Sequence, residues 1–302
     1  MTETAPDVIG EALLRAFADR GYDARLPEFT TVSVRLPDGS TATADITAWR
    51  EHAGRGGPDV LPRAAADYAD QAARAFERSA GQVQADTSAN LRVRLYTDDA
   101  LGGMRDALVT RPLAPGLVET VVVDYPDSIM PLERARLGGL SEDEVFGTAL
   151  AQSLEEQHYT STDTVQGVPV THVGGEHLFV GAHAHVLRRH AERAPYGALV
   201  SFPLPEYVLV HVIGDVHLFA AMETVQDLSQ RLFDSGEKAL SPQVYWWRPG
   251  PYEELPEAAA LRGGQVPDLR PVGIKVDHQE KSVAFQTTDT DRLAELWLND
   301  HA

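Results

Sequence analysis

The sequence predicts an α+β fold, with mixed or antiparallel sheets built from hairpins and packed against helices. Three observations carry that expectation. Strand-like runs come in adjacent pairs: TVSVRL and TATADI flank PDGS, and ALVSFPL leads into YVLVHVI through Pro205 and Glu206. Helical stripes lie between these pairs rather than between single strands, an order that disfavours a doubly wound parallel sheet. No segment recurs at a fixed period, as a solenoid would require.

The elements follow in chain order. Residues 6–20 place Val8, Ile9, Leu13, Leu14 and Phe17 at helical spacing. Thr30–Leu36 and Thr41–Ile46 read as a hairpin around PDGS. An alanine-rich helix runs from about Pro58 to Ser79, with Leu61, Ala65, Tyr68, Ala72 and Phe76 on one stripe. Pro58 suits its first turn. GQVQADTSAN is a polar connector. LRVRLYT at 91–97 alternates apolar and arginine positions, as a strand with one wet face does. VETVVVDYP at 118–126 is a more deeply buried strand.

The helix at 142–157 carries its own start signal. Ser141 is the N-cap, Glu144 completes a capping box, and Leu140 and Val145 occupy the staple positions. The acids of its first turn sit where the helix dipole favours them. Residues 164–173 read as extended and 178–192 as a histidine-rich helix. After the strand pair at 198–213 come a helix at 216–234 and a strand at 243–248. A loose segment around a short helix leads to strands 271–277 and 282–288 and a helix from Asp291 to Asn299. These elements divide into an N-terminal helix–hairpin–helix lobe (1–88), an α+β core (89–257), and a linker with a ββα extension (258–302).

Composition narrows the function classes. With 45 acidic and 26 basic residues the net charge is −19. That field repels phosphate backbones, which argues against nucleic acid, and it steers basic partners inward. The chain has no cysteine, which excludes disulfides, thiolate nucleophiles and cysteine metal ligands. The start shows no secretory pattern. The most apolar stretch is broken by Pro203, Pro205, Glu206 and Asp215, so a membrane span is not expected. The expectation is a cytoplasmic protein. GRGGP lacks the lysine of a phosphate loop, and no GxGxxG, GxSxG or HExxH occurs.

Part of the chain resembles a known family. LRVRLYT, then TVVVDYPDSIMPLERARLGGLSEDEVFGTALAQSLE, then GALVSFPLPEYVLVHVIGD, then LSPQVYWWRPG follow the order of the YtpQ-like bacterial proteins. The resemblance covers residues 89–255. Its matching positions are Ala149 and Leu154 in the first helix, Pro203 before Tyr207–Ile213, and Ser241–Tyr245. Ser153 stands where the family helix has asparagine, and the histidine run is no part of the pattern. The resemblance implies a cytosolic bacterial α+β protein and transfers no catalytic residue.

Candidate chemistry concentrates in two places. The first is the run GGEHLFVGAHAHVLRRH, with His172 just before it. If 178–192 is an α-helix, Phe179, His183, Val186 and His190 share one face, and His185 points the other way beside Arg188 and Arg189. His183 and His190 then lie about 10 Å apart along the axis, too far to close on one zinc ion. If GAHAH is extended, His183 and His185 point the same way, and His172, His177 or Glu176 completes a three-ligand site.

The second place is Tyr245, Trp246, Trp247, Arg248 and Tyr252, aromatics with an arginine of the kind that makes partner or ligand contacts. On a strand the two tryptophans face opposite ways, one into the core and the other either exposed or covered by a neighbour. Asp98–Asp99, Asp124 with Asp127, and Asp289 with Asp291 are carboxylate pairs that suit a divalent cation or the capping of turns and helices. The leading expectation is a non-enzymatic binding protein, adaptor or immunity-like, that takes a protein partner, with a basic one favoured by the charge, or a small ligand. The alternative is a metal-dependent hydrolase with zinc on His172, His177, His183 and His185.

Overall fold

The computed structural model describes residues 7–36, 41–55, 57, 60–81, 90–126, 128–191, 194–262 and 264–301, with 75–81 in backbone only. The PDGS turn, Pro58 and Asp127 lie outside the described residues, as does the Phe76 side chain. The chain forms two units, 1–85 and 86–302.

In the first unit, α1 (Val8–Ala18) starts at Asp7, whose carboxylate accepts from the Gly10 N–H at 2.9 Å. Three strands, β1 (Asp23–Glu28), β2 (Thr31–Arg35) and β3 (Thr41–Asp45), pair antiparallel in that order. Helices α2 (Thr47–Arg55) and α3 (Leu61–Gly81) follow. Leu13, Phe17, Val32, Val34, Ile46, Ala65 and Ala69 form the core. Arg50 of α2 is buried and grips both Asp7 oxygens at 2.7 Å. One carboxylate thus caps α1 and anchors α2. The sequence pattern showed neither β1, whose run is broken by Pro27, nor α2, which is largely polar.

The second unit opens with β4 (Leu91–Thr97), β5 (Thr110–Ala114), β6 (Leu117–Tyr125) and β7 (Ser128–Pro131), in the order β4-β6-β5 with β7 on β6. Helix α4 (Glu142–Glu155) packs Val145, Phe146, Ala149 and Leu150 against Leu91, Val93, Val121 and Val123. Its capping box forms as expected, with Glu144 N–H donating to Ser141 Oγ and Ser141 N–H to Glu144 Oε2. Leu140 stays exposed, so the staple lacks its outer half. Ser153 accepts from the Val93 N–H and donates to the Ala149 carbonyl, both at 2.8 Å, which ties α4 to β4.

Next come β8 (His158–Val165), β9 (Val168–Gly175), a 3-10 helix (Val180–Arg189), β10 (Ala198–Leu204) and β11 (Tyr207–Val212). The run read as extended over 164–173 is a hairpin. Gln166 and Gly167, with φ of 51° and 83°, supply the two left-handed positions its turn requires. Helix α5 (Leu218–Ser235), strand β12 (Val244–Trp247) and short helices α6 (Pro251–Glu254) and α7 (Glu257–Ala260) follow. The chain then forms β13 (Leu269–Val272), β14 (Ile274–Asp277), β15 (Ser282–Phe285) and α8 (Thr288–His301).

A six-stranded antiparallel sheet, ordered β13-β12-β10-β11-β9-β8, organises this unit. One face packs Val200, Phe202, Val210, Tyr245 and Trp247 with Leu187 of the 3-10 helix. The other packs Leu199, Leu209 and Trp246 with Met222 of α5 and Trp297 of α8. Covering both faces buries both tryptophans, at 4% and 2% exposure, so they face opposite ways and each is covered by its neighbours. The ββα tail after residue 258 packs on the core of this unit. Val272 of β13 pairs with Val244, and α8 supplies part of the core. Among the described residues no helix is long and apolar enough to cross a membrane.

Two substitutions test this architecture in urea titrations. Ser141→Ala removes the α4 cap and should cost about 1 kcal/mol. Gly197 sits at φ +83°, and a Cβ there would meet the Trp247 carbonyl oxygen at 1.9 Å. Gly197→Ala should therefore cost more than about 2 kcal/mol. A Gly197→Ala midpoint equal to that of the parent would contradict the β10–β12 packing.

Candidate functional site

The candidate site grows from one acid in an apolar strand. Glu119 lies in β6 among buried neighbours and is itself 0% exposed. Its register partner on β5 is Arg111, which donates from Nε to Oε2 at 2.7 Å and lies 4.2 Å over the Phe146 ring. The other carboxylate oxygen meets His185 Nε2 at 2.6 Å. His185 Nδ1 meets the Tyr252 hydroxyl at 2.8 Å. An ionised carboxylate only accepts, so Nε2 of His185 carries the hydrogen of the first bond.

Local sequence places each partner. Pro251 starts α6, and Glu253 closes its first turn by accepting from the Gly250 N–H at 2.8 Å. The second Glu253 oxygen accepts from Trp247 Nε1 at 2.8 Å. That doubly held carboxylate fixes the corner between β12 and α6 and presents Tyr252 to His185. Burial works to raise the Glu119 pKa, but the charge and hydrogen bonds of His185 and Arg111 outweigh it and bring the group down to about 2. Burial, and then the Glu119 charge, push the Tyr252 phenol well above its ordinary value. His185 and Tyr252 line a cleft of about 370 Å3, with Arg188 and Arg189 from the 3-10 helix and Glu257 from α7. Arg189 pairs with Glu257.

The histidine run departs from the α-helical reading. Its winding is 3-10 and breaks at Val186, whose φ and ψ are −128° and 32°. A 3-10 helix turns about 120° per residue, so the α-helical face assignment does not hold. His185, expected on the outer face, is buried against Glu119. His183 and His190, expected about 10 Å apart, fold together across the break, with Nδ1 and Nε2 3.1 Å apart. The His158 ring lies 4.3 Å from that of His183. Burial first, then His158, His190 and Arg189, hold His183 down at about 3. Burial, His158 and Arg189 hold His190 at about 4.

The four histidines considered as zinc ligands do not converge. His172 Nδ1 meets the Tyr207 hydroxyl at 3.0 Å, and His177 Nδ1 accepts from the Phe179 N–H at 3.1 Å. His183 is bonded to His190 and His185 to Glu119. Among the described residues, no group of three or more histidines, aspartates or glutamates is placed to hold one metal ion. The aspartate pairs have other roles where they are described. Asp98 faces Arg105 at 3.1 Å and Asp289 faces Arg292 at 3.5 Å.

Of the aromatic segment, Tyr245, Trp246, Trp247 and Tyr252 are buried, and only Arg248 is well exposed. Trp246 still floors a second pocket of about 360 Å3, beside Tyr196, Arg248, Arg292 and Leu296. Tyr252 and His185, singled out for different reasons, belong to one site. Glu119, Arg111 and Glu253 were not anticipated. The available signal was the lone acid in LVETVVV, a charge inside an otherwise apolar strand. Comparison of the chain with family models, curated proteins and solved structures returns no match.

Substitution and pH test the network. Glu119→Gln leaves Arg111 without its carboxylate and should cost about 3–5 kcal/mol. The folded pKa of Glu119 lies below the ordinary 4.5, so its contribution is full above that pH and lost as pH falls through about 2. His183 and His190 are also held low, so the unfolded chain takes up their protons first. Stability should decline as pH falls from about 6.5 through 4 and 3. Thermal melts from pH 7 to 4 should show this slope, and His183→Leu should reduce it. An unchanged slope in that variant would reject the account.

Proposed function

We propose that the protein is a non-enzymatic, cytoplasmic ligand-binding protein of YtpQ-like type, and that its ligand seat is the cleft beside His185 and Tyr252. The observation that carries this reading is the saturation of the cleft's polar floor. Both His185 ring nitrogens and both Glu119 oxygens are engaged. Among the described residues, Tyr252 is the one hydroxyl side chain lining the cleft. The order carboxylate, imidazole, hydroxyl parallels a nucleophile triad. Here, however, the last member is a phenol held protonated by burial and by the nearby carboxylate. Such a floor orients a ligand and offers no free base or ready nucleophile.

The test is extraction of natively purified protein followed by mass spectrometry of the released small molecules. A co-purifying compound near one equivalent is expected in the parent. Ala260 lines the cleft at 5% exposure, and Ala260→Phe should fill it and lose that compound while keeping the parent's circular dichroism. Retention of the compound by a folded Ala260→Phe protein would place the seat elsewhere.

A second reading, an adaptor or immunity-like role with a protein partner, is supported by the Trp246 pocket. Arg248, Arg292 and Leu296 are exposed at its mouth, over a tryptophan floor. Arg248→Glu with Arg292→Glu should abolish co-purification of a partner seated there, and undiminished co-purification would reject it.

A further inference from the structure

The charged side chains that line the His185–Tyr252 cleft are each engaged by a hydrogen-bond or ion-pair partner, with one exception among the described residues. Glu253 is satisfied by Trp247 Nε1 and the Gly250 N–H. Glu257 receives Arg189 on both its oxygens. His185 is closed between Glu119 and Tyr252. Arg188 lines the same cleft, is exposed, and has no hydrogen-bond or ion-pair partner among the described residues. The walls between these groups are apolar, formed by Val186, Leu187, Leu255, Pro256 and Ala260.

An open guanidinium, an apolar wall and a phenol on the floor are complementary to an amphipathic anion. We infer that the ligand is a small monocarboxylate with an apolar tail, its carboxylate on Arg188 and its tail along the wall. This inference rests on the reading of the cleft as a ligand seat. A guanidinium matches a carboxylate through two parallel hydrogen bonds. One cation neutralises one charge. A phosphate monoester would leave a second negative charge uncompensated on a protein of net charge −19. The cleft, at about 370 Å3, lies at the small end of ligand cavities, which suits a short chain.

Calorimetric titration of the full chain with octanoate, 1-octanol and octylamine tests this, using the parent, Arg188→Ala, Arg188→Lys and Ala260→Phe. Octanoate should bind, 1-octanol more weakly, and octylamine not at all. Arg188→Ala should weaken octanoate by at least about tenfold, because a charge-assisted bond is lost, and Arg188→Lys should recover part of that loss. Ala260→Phe should abolish binding. Octanoate binding no better than 1-octanol, or unaffected by Arg188→Ala, would overturn the carboxylate while leaving the seat intact, provided Ala260→Phe still removes binding. Binding that survives Ala260→Phe, or no binding by any of the three compounds, would overturn the seat itself and the inference with it.

Discussion

Glu119 is a carboxylate removed entirely from water, and the second unit is arranged around that fact. Taking such a charge out of solvent costs several kcal/mol even after relaxation. The cost is offset only by partners with good geometry, and the fold delivers them from separate elements. Arg111 arrives by strand register, directly across the β5–β6 pair. His185 arrives from the 3-10 helix and in turn needs a partner for its second nitrogen, which Tyr252 supplies from α6. His185 and Tyr252 are themselves buried and must be satisfied, so the network extends until it reaches the cleft. The polar floor of that cleft is the outer end of this chain of requirements.

The large sheet sets where that end emerges. Its inward-facing residues alternate to two faces, and each face has its own cover. Trp246 and Trp247 are adjacent in sequence, yet they serve different cores and different pockets. Trp247 reaches the His185 site through Glu253, whereas Trp246 floors the pocket beside α8. A short strand with two aromatic neighbours can therefore support two sites on opposite sides of one sheet.

The histidine run shows a different constraint. His183 and His190 are packed closely on one another and beside His158, so neighbouring charge disfavours charging either of the two. Burial is the larger cause, so His183 and His190 stay neutral in the folded protein at ordinary pH. Their chemistry is that of a core element with a polar lining, and their sensitivity to acid follows from that position. His185, two residues from His183, has a different role because the backbone turns it toward an acid.

Some of this was legible without the fold. Period-two alternation located the strand at 91–97, the adjacent runs ALVSFPL and YVLVHVI located β10 and β11, and Ser141 with Glu144 marked the start of α4. These features depend on neighbours within a few residues, where backbone sterics and local hydrogen bonds decide the outcome. The turn at Gln166–Gly167 was local too, but its signal was missed inside an extended run. Tertiary structure alone decided the site. Tyr252 and His185 are 67 residues apart, and His185 and Glu119 are 66 apart. The 3-10 winding that aims His185 inward departs from the α-helical pattern of its own residues, with packing against both sheets as its setting. Whether a charge is buried, and what offsets it, depends on surfaces that meet only when the chain is folded. The sequence by itself determined an acidic α+β chain with hairpins and a capped helix. Folding determined that a lone glutamate, a histidine from a crowded run and a tyrosine after a proline form one site.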